Sequence, residues 1–298
     1  MQYNNFNQLI TDVDTRIKRR VVVAAAQDAH ILEAVTVAAE KGKVEYLLVG
    51  DRSEICAIAE KEGLSIDEDR IIQSGSDEES AATAVRLIRE NGGDFLMKGR
   101  LMTATLLREV VKSDTGIRTE NVISHVAILH VPVYHKLVCI SDGGMIPHPD
   151  LQQKISITEN AVRFFHSLGY ENPKVAVLAA AEVENPRMPE TADAVKITEY
   201  FGGRNDCVVQ GPLSLDLALS RESAAIKGIS GVVVADADIL ITPDIASGNM
   251  LSKSMIYTGN AVMAGCIVGA KVPVVLTSRG ASAQEKYLSL VIAAASCN

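Results

Sequence analysis

Short apolar runs rich in Val and Ile alternate with capped, helix-periodic segments along most of this chain, and that alternation restricts the fold more than any other feature. Residues 21–26 read as a buried strand, after which Asp28 caps a helical pattern through Ile31, Leu32, Val35, Ala38 and Ala39 that stops at Gly42. Residues 44–49 form the next strand, and Gly50-Asp51-Arg52-Ser53 turns into a helix ending near Gly63. Ile71-Ile72 is a short strand, 77–90 a helix closed by Asn91-Gly92-Gly93, and 94–97 another strand. Strands joined through helices run parallel, so the expected class is α/β, with helices on both faces of a largely parallel sheet.

Beyond Gly116 the pattern changes. Residues 124–133 and 136–141 are apolar strands separated only by Tyr134-His135, which reads as a hairpin leading into Ser141-Asp142-Gly143-Gly144. Helices are then expected over 155–168, 190–201, 249–257 and 260–267, with one more containing Asp216, and strands over 175–180, 207–210, 232–235, 239–242 and 272–276. The last strand and helix suit the first half better than the second. The chain is therefore expected to cross back, giving a first domain of 1–130 plus 272–298 and a second of 131–271, with a cleft at the seam.

Composition excludes several partners. A formal net charge of −8 argues against nucleic acid, whose binding depends on neutralising phosphates, and 4% aromatic residues without Trp leave little for a base-stacking surface. No uninterrupted apolar run reaches the length of a membrane span, and the first 20 residues lack a signal-peptide pattern, so a cytoplasmic protein is expected. Five cysteines, odd in number and without CxxC spacing, indicate neither disulfides nor zinc.

The candidate site is the turn Thr277-Ser278-Arg279-Gly280 between the last strand and the last helix. A hydroxyl and a guanidinium beside a helix N-terminus suit an anion, although for the pair taken alone a polar turn without chemistry is the favoured reading. Glu285 likewise has two readings. Ser282-Ala283-Gln284-Glu285 is a capping box, and the same carboxylate is a candidate base. Asp142, Asp244, Asp236 and Asp238 follow apolar runs, where capping or turn formation competes with metal ligation, and no metal site is expected. Dinucleotide, P-loop and nucleophile-elbow fingerprints are absent.

Six segments carry a resemblance: KGRLMTATLLREVV (98–111), SHVAILHVPVYHKLVCISDGGM (124–145), PKVAVLAAAEVENPRMPET (173–191), GPLSLDLALS (211–220), DADILITPDIASGNMLSK (236–253) and GAKVPVVLTSRGASAQEK (269–286). In this order they resemble the phosphate acetyltransferase and phosphate butyryltransferase family, most of all its butyryl branch. The resemblance implies a two-domain, three-layer αβα fold similar to isocitrate and isopropylmalate dehydrogenases, an interdomain active site, a homodimer or higher homo-oligomer, and the reaction acyl-CoA + phosphate ⇌ acyl phosphate + CoA. It places Ser278 on the acyl carbonyl, Arg279 on the phosphate and Glu285 at the catalytic carboxylate, where the acetyl branch has the shorter Asp. Arg108 matches a second family arginine, and Lys98, Gly280 and Asn249 are the further expected phosphate or CoA contacts. Coenzyme A is then a substrate, with acyl phosphate and phosphate as the other partners and no tightly bound cofactor. The rivals are an acetyl-preferring relative, a metal- and NAD-dependent dehydrogenase on the related fold, and a two-domain ligand-binding protein.

Overall fold

The computed structural model describes residues 2–12, 18–277 and 280–297. Its strands in chain order are β1 (Arg19–Ala24), β2 (Val44–Gly50), β3 (Ile71–Gln73), β4 (Phe95–Lys98), β5 (Ser124–His130), β6 (Leu137–Ser141), β7 (Lys174–Leu178), β8 (Val208–Leu213), β9 (Ile239–Ile241), β10 (Val262–Val268) and β11 (Val274–Val275). The chain divides into two compact units, one of residues 9–121 and 264–298, the other of residues 1–8 and 122–263.

In the first unit the strand order is β3-β2-β1-β4-β11-β10, parallel as far as β11. Val21, Val22 and Val23 are fully buried, as expected for a central parallel strand covered on both faces. The helices between these strands start and stop where local chemistry dictates. Asp28, Asp51 and Ser76 each accept a backbone N–H at the start of the helices Ala29–Glu40, Arg52–Glu62 and Asp77–Arg89, and Gly63 ends the second in the left-handed conformation.

In the second unit the order is β5-β6-β9-β7-β8. The expected hairpin is present, with Ile128 opposite Cys139 in an antiparallel β5–β6 pair, and the remaining neighbours are parallel. Its core gathers Leu129, Val138, Ile140, Leu178, Leu217 and Leu240.

Three expected elements differ. Residues 260–267 are not a helix; Val262–Val268 is a strand, antiparallel to β11 with Ile267 opposite Val274. A short, wholly apolar run has no periodicity to separate the two states, and the β11 ladder decides it. Residues 232–235 form a turn in place of a strand: Ala235 has φ +57° and donates its N–H to Leu217 O (2.7 Å). The expected strand over 272–276 is reduced to Val274–Val275, because Pro273 has no N–H to offer; its carbonyl accepts from Leu96 N (3.1 Å). The structure also adds a short helix, Arg221–Lys227, between Ser220 and Gly228 caps.

Candidate active site

Three strand ends in the first unit, those of β1, β4 and β11, supply the loops of the site, at the edge where parallel α/β sheets bind ligands. The loop after β4 is held against the end of β1. Gly99 N–H donates to Ala24 O and Arg100 N–H to Ala25 O, both at 2.8 Å. A Cβ on Gly99 would stand 2.0 Å from Ala25 O, so only glycine permits this approach. Ala25 itself adopts φ +56°, an unfavourable conformation for a residue with a Cβ, and these two bonds help keep it there.

The consequence is the position of Lys98. It is 5% exposed, and its ammonium donates to Gly99 O (3.0 Å) and Leu101 O (3.1 Å). From the opposite side the last helix, Ala283–Ala295, contributes Lys286, which is 3% exposed and donates to Ala281 O. Burial pushes the Lys286 ammonium below the usual lysine range, against the pull of the Asp28 and Glu285 carboxylates. The last helix packs on Ala29–Glu40, where the Lys41 ammonium lies 4.8 Å from the centre of the Tyr287 ring.

Between these elements is a pocket of about 300 Å³ lined by Asp28, Ile31, Lys98, Gly99, Arg100, Thr277 and Lys286. Three of the lining residues are cations and one is a carboxylate. Arg100 is engaged outward by Glu54 (3.0 Å), and the Asp28 carboxylate accepts from Ile31 N–H (3.0 Å) at its helix start. A local positive site in a chain of net charge −8 suits an anion.

The expected site residues distribute unevenly. Ser278 and Arg279 lie outside the described residues, directly after the pocket residue Thr277. Lys98 lines the pocket. Gly280 is exposed, and Arg108 is exposed in the last turn of the helix Thr103–Val110, outside the pocket wall. Asn249 belongs to the other unit, where its Nδ2 donates to Gly143 O (3.2 Å). Glu285 completes the expected capping box: its Oε2 accepts from Ser282 N–H (2.8 Å) and Ser282 Oγ (3.1 Å), while Ser282 Oγ accepts from Glu285 N–H (3.2 Å). Sequence reasoning overlooked Lys286, the neighbour of Glu285, because a lysine inside an amphipathic helix ordinarily faces solvent.

The aspartates that admitted a metal reading have other partners. Asp142 accepts the backbone N–H groups of His125, Gly144, Met145 and Ile146 at 2.8 to 3.2 Å, which fixes the loop after β6. Asp244 caps the helix Ile245–Tyr257. Asp236 and Asp238 pair with lysines. Among the described residues no three His, Cys, Asp or Glu side chains come together as a metal site. No described helix is long and apolar enough to cross a membrane.

The family model described as Phosphate acetyl/butaryl transferase matches residues 5–86 and 76–294. The chain belongs to this family. It is therefore a phosphate acyltransferase. A phosphate butyryltransferase of Clostridium acetobutylicum is 40% identical over 292 residues, covering 97% of each chain. A phosphate acetyltransferase of Thermotoga maritima is 38% identical over 278 residues, covering 93% of this chain and 94% of its own. Among solved structures, a branched-chain phosphotransacylase from Enterococcus faecalis superposes with a TM-score of 0.83 at 35% identity, covering 94% of this chain and 99% of that one. A 4-hydroxythreonine-4-phosphate dehydrogenase from Klebsiella pneumoniae, 12% identical, superposes with a TM-score of 0.56 over 95% of this chain and 100% of its own. The fold is thus the dehydrogenase-like α/β architecture expected from the sequence.

Proposed function

We propose that this phosphate acyltransferase works on butyryl and similar short acyl chains, interconverting butyryl-CoA and phosphate with butyryl phosphate and CoA. The observation that carries this reading is the 40% identity to a phosphate butyryltransferase along 97% of both chains. The 38% identity to an acetyltransferase keeps the acetyl-preferring enzyme as the second reading. One methylene in an apolar pocket is worth about 1 to 3 kcal/mol, so the preference is a matter of degree. Comparing kcat/KM for butyryl-CoA and acetyl-CoA at saturating phosphate tests it. A ratio of roughly tenfold or more in favour of butyryl is expected; a preference for acetyl contradicts it.

In the direction of CoA acylation, the thiolate attacks the acyl carbonyl of the acyl phosphate, the carbonyl oxygen gains charge, and phosphate leaves with the electrons of the broken C–O bond. The Ser278 hydroxyl donates to the developing oxyanion and the Arg279 guanidinium binds the departing phosphate. Glu285 takes the thiol proton, for which its carboxylate has to loosen the bond from the Ser282 amide. An unperturbed thiol, with a pKa near 8.5, is mostly protonated at neutral pH, so a nearby base is needed. Direct transfer requires no covalent enzyme intermediate and no tightly bound cofactor. Arg108, Gly280 and Asn249 are further CoA or phosphate contacts in this proposal, and the working form is a cytoplasmic homodimer.

A further inference from the structure

Lys286 differs from two other buried lysines. Lys136 and Lys154, equally covered, each contact a carboxylate at 2.7 Å. Lys286 donates one hydrogen bond to Ala281 O and, among the described residues, forms no ion pair. An ammonium has three donors, so two remain for whatever enters the pocket it lines. A buried charge without an ionic partner is unfavourable unless a ligand completes it.

The surroundings restrict that ligand. Lys98 lines the same pocket, as does Thr277, the residue before Ser278 in the sequence. A multiply charged, oxygen-rich anion suits this pocket better than a carboxylate does, because it offers more acceptor oxygens to Lys286 and more negative charge beside the Lys98 ammonium. An alkyl chain has nothing to offer Lys286, and a thioester offers one neutral carbonyl oxygen, which leaves the buried charge uncompensated. In this enzyme the available anions of that chemistry are inorganic phosphate, the phosphoryl group of the acyl phosphate, and the phosphates of CoA.

We propose that Lys286, together with Lys98, binds the transferable phosphoryl group, as inorganic phosphate in one direction and as the acyl phosphate in the other. Lys286 thereby sets the affinity for phosphate rather than for CoA. The inference rests on the acyltransferase reading for its substrates, but binding of inorganic phosphate to the pocket can be measured without turnover.

The test uses the full chain carrying Lys286→Met or Lys286→Arg. Removing a charge-assisted contact should raise KM for phosphate roughly tenfold or more in the Met variant, with KM for butyryl-CoA within about twofold of wild type. The Arg variant should recover much of the phosphate affinity. Without substrates, inorganic phosphate should raise the Tm of the wild type at concentrations that leave the Met variant unchanged. Replacing CoA by dephospho-CoA in the acyl-phosphate direction separates the sources. If Lys286→Met weakens CoA but not dephospho-CoA, the pocket takes a CoA phosphate and the proposal is wrong. It is also wrong if the Met variant keeps its phosphate KM and phosphate-dependent Tm, or if it only lowers the phosphate-free Tm and kcat, as loss of the Ala281 brace alone would. A wild type that binds phosphate but shows no acyl transfer would contradict the function and leave the site standing.

Discussion

Two buried lysines, one in each unit, show opposite solutions to the same electrostatic problem. Lys136 is fully buried at the start of β6 and stands 2.9 Å from Asp236 Oδ1 and 2.7 Å from Asp238 Oδ1, the latter contact having the geometry of an ion pair rather than of a directed hydrogen bond. Its ammonium also donates to Asp236 O (2.9 Å). Lys174 and His135 bind the same Asp236, and Asp238 Oδ2 accepts from Lys174 N–H (2.8 Å), so the hairpin and the neighbouring strands are tied through one closed network. Lys286 has almost the same exposure, yet among the described residues its hydrogen-bond partner is a single carbonyl. A charge compensated within the fold is structural. A charge left to carbonyls beside a pocket is available for a ligand.

The largest expected effect comes from breaking the closed network. Lys136→Met should cost about 3 to 5 kcal/mol of stability, because it strands the buried Asp238 carboxylate. Urea unfolding measures this, and combining it with Asp238→Leu should recover a large part of the loss. A single-variant loss below about 1 kcal/mol would show that the network contributes little. Gly99→Ala comes next, at about 1 to 3 kcal/mol, since the new methyl meets Ala25 O and has to push Lys98 out of place. Activity should fall with it, and unchanged kinetics would show that the β4 loop does not position the site.

For Lys286→Met the sign reverses. Removing a desolvated ammonium that, among the described residues, forms no ion pair should leave stability within about 1 kcal/mol of wild type, or raise it, while phosphate affinity falls. Comparable destabilisation by Lys136→Met and Lys286→Met would erase the distinction between the two lysines.

Acid should separate the units more gently. Burial alone would raise the Asp236 carboxyl, but hydrogen bonds from Lys174, Lys136 and His135 outweigh it and hold the group well below the usual carboxylate range. With the folded value depressed, its stabilisation is present above pH about 4 and is lost as pH falls further. Asp238 moves the opposite way, raised by burial in spite of Lys136, and opposes part of that gain. Asp236→Asn should therefore flatten the decline of stability below pH 4. An unaltered acid profile would remove Asp236 from the account.

What the sequence made legible is what local chemistry controls. Asp28, Asp51, Gly63 and the Ser282–Glu285 box are short-range signals, and each appears where expected. The strand Val262–Val268 was illegible because an apolar run gains its identity only from its ladder partner, and the turn at 232–235 because a backbone bond to Leu217 overrides β propensity. At the site, Lys98 was visible at a strand end. Lys286 was not, since its burial follows from the packing of two helices distant in sequence, one beginning at Ala29 and the other at Ala283.

The central claim is acyl transfer to phosphate, and release of free thiol from butyryl-CoA tests it most directly. Without added metal or nicotinamide, the protein should release thiol only when phosphate is present, with Ser278→Ala slowing it on the order of a hundredfold. No phosphate-dependent release from any acyl-CoA of two to five carbons would contradict the account.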